Sequence, residues 1–355
     1  MLASEVMAAA GPAPKLAEAA AAAGPRRPRR TAALQYSEDL PTGVAGVALG
    51  CAAFSNLLHA LYAPARPVVI AAALLSAFIC VFFIAARIVK PHRVCAEAMK
   101  PRTFFPYGAW EMALAFAWAR LLPDYCAPGA YAAGALQLAI LLTFLRACCK
   151  TRAAPAPYWN PVCMSCAATT IVGAPCLGAR HWLPLFSFGL ALVSCVIIAP
   201  PEAWAVLGDA SESPGADVAL LAAPCSIAAA AFAALKQAAD GPVLWDFTAD
   251  ACVGGLLVGL ATLYAAFAVF AVWRRRRTVR PFSLVWATMT FPAAITCVVW
   301  LQYAEKLYFL WAARVVAGLV LLGIAAIVGG CFRLALLALL DVRRWSSSEL
   351  SLSRV

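Results

Sequence analysis

PFSLVWATMTFPAAITCVVWLQYAE, residues 281–305, is the stretch on which the fold turns. It is long and apolar enough to cross a bilayer, which takes ~20 mostly apolar residues. Its composition is not that of a passive anchor. Ser283, Thr288, Thr290 and Thr296 put hydroxyls along it, and Phe291–Pro292 sits near its middle. A proline there withholds one backbone donor and frees a carbonyl, which hydrocarbon alone does not tolerate. The segment must therefore face protein or a water-filled path at that level. Two readings stay open on this stretch alone: a kinked helix packed inside a bundle, or a path-lining helix that carries an aromatic plug.

The rest of the 355 residues has the same character. The chain is 64% hydrophobic, with a mean hydropathy of +0.82, against about 45–50% apolar residues in a soluble domain. The excess falls into ten runs, at 42–62, 67–89, 104–122, 129–148, 160–178, 182–200, 217–236, 247–273, 282–304 and 307–340. The fold class expected is all-α integral membrane. Residues 1–39, rich in Ala, Pro and Gly and carrying Arg26-Arg27-Pro28-Arg29-Arg30, read as a disordered basic tail without a cleavable signal. Residues 40–340 make the membrane domain, and 341–355 a Ser-rich tail.

A net charge of +11 raises the question of nucleic acid, but its placement answers it. Lys and Arg cluster in the tail before the first run and in the loops after the second, fourth and eighth, as the positive-inside rule requires. Both termini are therefore expected in the cytosol, with an even number of spans, and nucleic acid is no partner. The loop after the sixth run dissents, with Glu202, Asp209, Glu212 and Asp217 and no basic residue. The 14 cysteines lie mostly within apolar runs, where they behave as small hydrophobes, and they suggest no disulfide framework. With three scattered histidines, no metal or other cofactor is expected. Nothing resembles a paired carboxylate or a nucleophile constellation, so an enzyme is not expected. Membrane lipid is the surrounding partner.

Helix breakers alternate along the chain. The odd runs carry them: Pro41 with Gly43, Gly46 and Gly50, Pro106 with Gly108, Pro161 with Gly173 and Pro175, Pro224, and Pro292. The even runs are almost free of interior proline. Broken helices need neighbours to re-satisfy their backbone, whereas straight apolar ones can face lipid. This predicts five hairpins, odd helix inside and even helix outside, around a central pore. Pro106, Pro175, Pro224 and Pro292 are the expected kinks. The expected lining is mainly small residues and neutral hydroxyls on the inner helices: Gly46, Ser55, Thr169, Thr170, Ile171, Ser226 and Thr290. Glu111, Arg120, Asp250 and Arg314 are charges inside runs. For these, structural pairing, such as Arg314 with Glu111, is favoured over a transport role.

Several stretches, in order and at matching spacing over about 40–340, resemble the plant slow (S-type) anion channels and the related bacterial tellurite-resistance/dicarboxylate transporters. PTGVAGVALG at Pro41–Gly50 is similar to the family's opening P-x-G-x-x-G-x-x-L-G. KPRTFFPYGAW at Lys100–Trp110, NPVCMSCAATTIVGA at Asn160–Ala174 and LLAAPCSIAA at Leu220–Ala229 match segments before or within the third, fifth and seventh helices. Residues 282–305 look like the ninth helix, F-S-x-x-W-W-x-x-x-F-P…Y-A-E. The resemblance implies ten helices around a pore, a homotrimer with one pore per protomer, and Phe291 as the phenylalanine that blocks it.

It implies an anion channel passing small monovalent anions such as nitrate and chloride. The alternative is a proton-coupled transporter of dicarboxylates such as malate, or of sulfite. Departures are visible. Thr170-Ile171 stands where Asn-Phe is usual, Ala45 replaces an aromatic, and Ala287 stands where plant members carry a second tryptophan. A plasma-membrane location is expected. The Ser346–Ser348, Ser351 and Ser353 cluster is a candidate phosphorylated tail, with a regulatory kinase as candidate partner, although the long extensions of plant members are not in these residues.

Overall fold

The computed structural model describes residues 32–89, 104–151, 159–207, 215–238, 250–274, 284–304 and 309–352. Residues 1–31 of the tail expected at 1–39, the basic loops at 90–103 and 275–283 with Ser283, the acidic stretch at 208–214, and Glu305 and Lys306 lie outside them, whereas residues 32–39 of that expected disordered tail are helical and open α1. Among the described residues ten α-helices follow one another: α1 (Ala32–Leu61), α2 (Arg66–Val89), α3 (Phe105–Leu121), α4 (Cys126–Thr151) and α5 (Asn160–Leu177). Then come α6 (Trp182–Leu207), α7 (Ala223–Gln237), α8 (Gly255–Arg274), α9 (Thr290–Ala304) and α10 (Leu310–Leu352). Among the described residues, nine segments are long and apolar enough to span a membrane. The remaining helix, α3, has 17 residues and carries Glu111 and Arg120. Asp39–Val355 is one compact unit.

Burial separates odd from even helices. The share of each span that is buried is 94% for α7, 78% for α5, 67% for α9 and 61% for α1. It is 44% for α4 and α6, 33% for α2, 28% for α8 and 17% for α10. Residues of α3 from Ala109 to Ala113 are buried without a break. The even helices instead show large apolar side chains on their outer faces, among them Phe78, Leu142, Val196, Val269 and Leu322, as a lipid-facing surface requires.

The odd helices run parallel and pack side by side. Near their starts, a Cβ on Gly108 of α3 would come within 2.6 Å of the Pro161 backbone of α5, so only glycine allows this approach. A Cβ on Gly50 of α1 would meet Thr290 Oγ1 of α9 at 2.8 Å. Ser226 of α7 and Thr296 of α9 hold their hydroxyl oxygens 2.7 Å apart. Each is also placed to bond back to the carbonyl four residues earlier, so one hydroxyl donates across and the other back. At the far ends, Arg120 Nε of α3 donates to Asn56 Oδ1 of α1 at 2.9 Å. With α5 packed on α7, the order α1–α3–α5–α7–α9 closes on itself.

The prolines act differently from the expectation. Pro106 and Pro224 fall in the first turn of α3 and α7, where the missing N–H costs nothing. Pro292 falls in the first turn of α9. These three begin helices and do not kink them. The breaks are the 3₁₀ segments Gly215–Ala222 and Leu284–Met289, which carry the chain towards α7 and α9. A continuous helix would have bonded the Leu220 carbonyl to an N–H at 224. Instead Asn160 Nδ2 donates to it at 3.2 Å. Pro175 alone of the four lies inside its helix. One even helix carries interior prolines as well, because α6 continues through Pro200–Pro201 to Leu207. The last helix does not stop near 340 but runs on to Leu352, through Ser346–Ser348 and Ser351.

Candidate functional site

Phe291, the second residue of α9, is 3% exposed, and its ring lies 6.1 Å from that of Phe116 on α3, tilted by 31°. In the ring of inner helices α1 stands between α3 and α9 on one side, and α5 and α7 on the other. A contact between α3 and α9 therefore crosses the interior. The depths agree. Eleven residues of α3 at ~1.5 Å each bring Phe116 roughly 17 Å from the helix start. The six-residue 3₁₀ segment at ~2.0 Å each, with the first turn of α9, brings Phe291 roughly 14 Å in. If the hydrocarbon core, ~30 Å thick, begins at these starts, both rings fall near its middle.

The fifth helix shows which side chains face that interior. Cys166 accepts from Gln137 Nε2 of α4 at 2.7 Å. Thr170 donates to the Pro184 carbonyl of α6 at 3.0 Å. A Cβ on Gly134 of α4 would lie 3.4 Å from the Thr169 methyl carbon. These three residues share the outward face, so Thr169 and Thr170 pack against the outer helices and do not line the interior. At ~100° per residue the opposite face carries Met164, Ala168 and Ile171. Ile171 is half-buried there.

Ser55 is likewise turned outward, donating to the Val69 carbonyl of α2 at 2.9 Å. Gly46 abuts Thr288, and Thr290 bonds back to the Ala287 carbonyl at 2.6 Å, so both belong to the α1–α9 seam. Ser226 belongs to the α7–α9 seam. The physical reason is common to Ser55, Thr170, Ser226 and Thr290, whereas the buried Thr169 hydroxyl has no acceptor among the described residues. A hydroxyl in a close-packed helix ring finds an acceptor on its own or a neighbouring helix, which leaves the central face to apolar groups.

The charges inside the runs separate in the same way. Glu111 is 1% exposed and lies beside Ser165 at the α3–α5 seam, about 140° around α3 from Phe116. Arg314 is exposed on α10 and is not its partner. Glu202, fully buried, accepts from Asn160 Nδ2 at 2.8 Å. Asp250 opens the π-helical turn before α8, at the edge of a span. Arg120 is four residues beyond Phe116 on the same face of α3. The sequence reading missed Phe116 and Asn56. The i, i+4 spacing of an aromatic and an intramembrane arginine was the available signal. A cavity of about 430 Å³, lined by Ala268, Trp273, Trp286, Met289, Pro292 and Thr296 among others, lies behind α9 on the side away from Phe291.

A family model described as voltage-dependent anion channel matches residues 39–335. The chain belongs to this family. The match runs from within α1 to within α10 and takes in the eight helices between them, and with it the resemblance found in the sequence becomes membership: an integral, multi-pass membrane protein of a superfamily of anion channels and transporters. No curated protein matches the sequence. For a voltage-dependent anion channel family member, the Phe116–Phe291 contact inside the helix ring is the feature to be explained.

Proposed function

We propose that the chain is a passive channel for small monovalent anions, nitrate and chloride, whose path runs through the ring of odd helices and is occluded by Phe291 packed against Phe116. The meeting of these two rings across the interior carries the reading. Mid-path aromatic rings form an apolar constriction that water and ions do not cross while it is closed. The face of α5 turned to the path, with Met164, Ala168 and Ile171, is neutral, so an anion binds weakly and leaves readily. Such a path discriminates by dehydration cost, and nitrate passes more readily than chloride.

Both termini lie in the cytosol of a plasma-membrane protein, and the assembly is a homotrimer with one path per protomer. The basic loops then raise the local anion concentration at the cytosolic mouth. The Ser cluster near the end of α10 offers a kinase its substrate.

The second reading, a proton-coupled carrier of malate or sulfite, is favoured by one observation, the carboxylate of Glu111 buried in an inner helix. Its position away from the path-facing side of α3 favours the channel. Two-electrode recordings with ion substitution separate the two. The channel gives reversal potentials that follow the anion gradients with nitrate ahead of chloride. Preference for chloride, cation selectivity, or flux that tracks a pH gradient at carrier turnover contradicts it.

A further inference from the structure

We infer that Arg120 is an anion-coordinating residue that recognises a small planar oxyanion, nitrate above chloride, at the outer side of the Phe116–Phe291 constriction. It rests on the proposed path through the helix ring. It adds a specific site where that path was given only a neutral lining.

Three observations place the guanidinium. Arg120 follows Phe116 by four residues, so both lie on one face of α3, one turn and ~6 Å of rise apart. Phe116 meets Phe291 across the interior, so that face looks inward. The Arg120 Nε donates to Asn56 Oδ1 on the neighbouring α1 at 2.9 Å, which fixes the orientation of the guanidinium plane.

What remains unbonded defines the ligand. Guanidinium has five N–H donors, and Asn56 takes the single Nε–H. The paired Nη groups are left as a fork. Among the described residues no carboxylate pairs with them: Asp124 is exposed in the turn Pro123–Tyr125 without an ion pair to Arg120, and Glu111 lies at the α3–α5 seam. The nearest titratable group on α1, His59, is exposed one turn beyond Asn56. Arg120 itself is half-buried, so water and ions reach it while its desolvation strengthens the attraction. A planar fork matches two oxygens of a planar oxyanion bidentately, whereas a spherical halide takes only its charge. The cation is held by a neutral amide and not by an acid, so a passing anion meets an unneutralised charge.

The test uses the full chain and two readouts. Purified protein in detergent is melted against nitrate and against chloride, and the same variants are recorded in oocytes with external anion varied. Arg120→Gln raises the half-saturating nitrate concentration about tenfold in both, as loss of a hydrogen bond to a charged group requires. Arg120→Lys keeps chloride stabilisation but brings nitrate down towards it. The inference is overturned if Arg120→Gln, folded with an unchanged anion-free melting temperature, keeps its half-saturating nitrate within about twofold of wild type. Melting does not depend on conduction. Loss of nitrate stabilisation in Arg120→Gln, with no rise of current in Phe291→Ala, leaves this site standing and removes the occlusion by Phe291. The reverse pattern removes the site and keeps the occlusion.

Discussion

At the scale of single residues, the two phenylalanines differ in how visible they were. Phe291 announces itself by its proline and its hydroxyl-bearing surroundings, whereas Phe116 sits in a run of Ala, Leu and Trp that any buried helix could carry. Only the three-dimensional contact assigns it. If both rings close the path, Phe116→Ala raises basal anion current as well, though less than loss of the ring at 291, since Phe291 then retains part of the constriction. Equal surface labelling with no added current removes Phe116 from the account. Glu111 supplies an independent check on the carrier alternative. It lies off the path-facing side of α3, so Glu111→Gln leaves the current and its pH dependence as in wild type. Disappearance of a pH dependence in that variant, measured by uptake under an imposed pH gradient, restores the carrier.

At the scale of elements, hydropathy located ten runs close to the helices found, because twenty apolar residues in a bilayer have no alternative to a helix. The inside–outside alternation was legible too, from proline and glycine placement, and burial of the spans follows it. What those prolines do was not legible. A proline ends up in a first turn or in a helix interior according to where the chain leaves its 3₁₀ segment, and that is decided by tertiary packing. The direction of the hydroxyls was hidden for a similar reason, since neutral Thr suits either a path or a carbonyl on the next helix.

Two contrasts test the element scale. Gly108→Ala forces the α3 and α5 backbones apart and costs about 1–3 kcal/mol of stability. Gly259→Ala, which would meet nothing within 4 Å, leaves the melting temperature in detergent unchanged or slightly higher. Equal melting temperatures for the two variants would show that the α3–α5 seam is looser than described. On α5, with exposed Cys149, Cys176 and Cys252 changed to serine, Ile171→Cys reacts with a charged, membrane-impermeant thiol reagent and Thr170→Cys does not. Reaction at Thr170→Cys alone inverts the assigned face.

At the scale of the whole molecule, membership of the voltage-dependent anion channel family fixes the architecture and leaves selectivity to this chain's own residues. The departures noted in the sequence act here. On the proposed reading, with Ile171 in place of an aromatic on the face of α5 opposite Cys166, closure would rest on the single contact between α3 and α9. The most direct measurement is two-electrode recording of Phe291→Ala beside wild type, with surface protein quantified by labelling. An open path predicts a steady anion current at least severalfold larger per surface molecule, with nitrate still ahead of chloride. A variant that reaches the surface in equal amount and conducts no more than wild type contradicts the account.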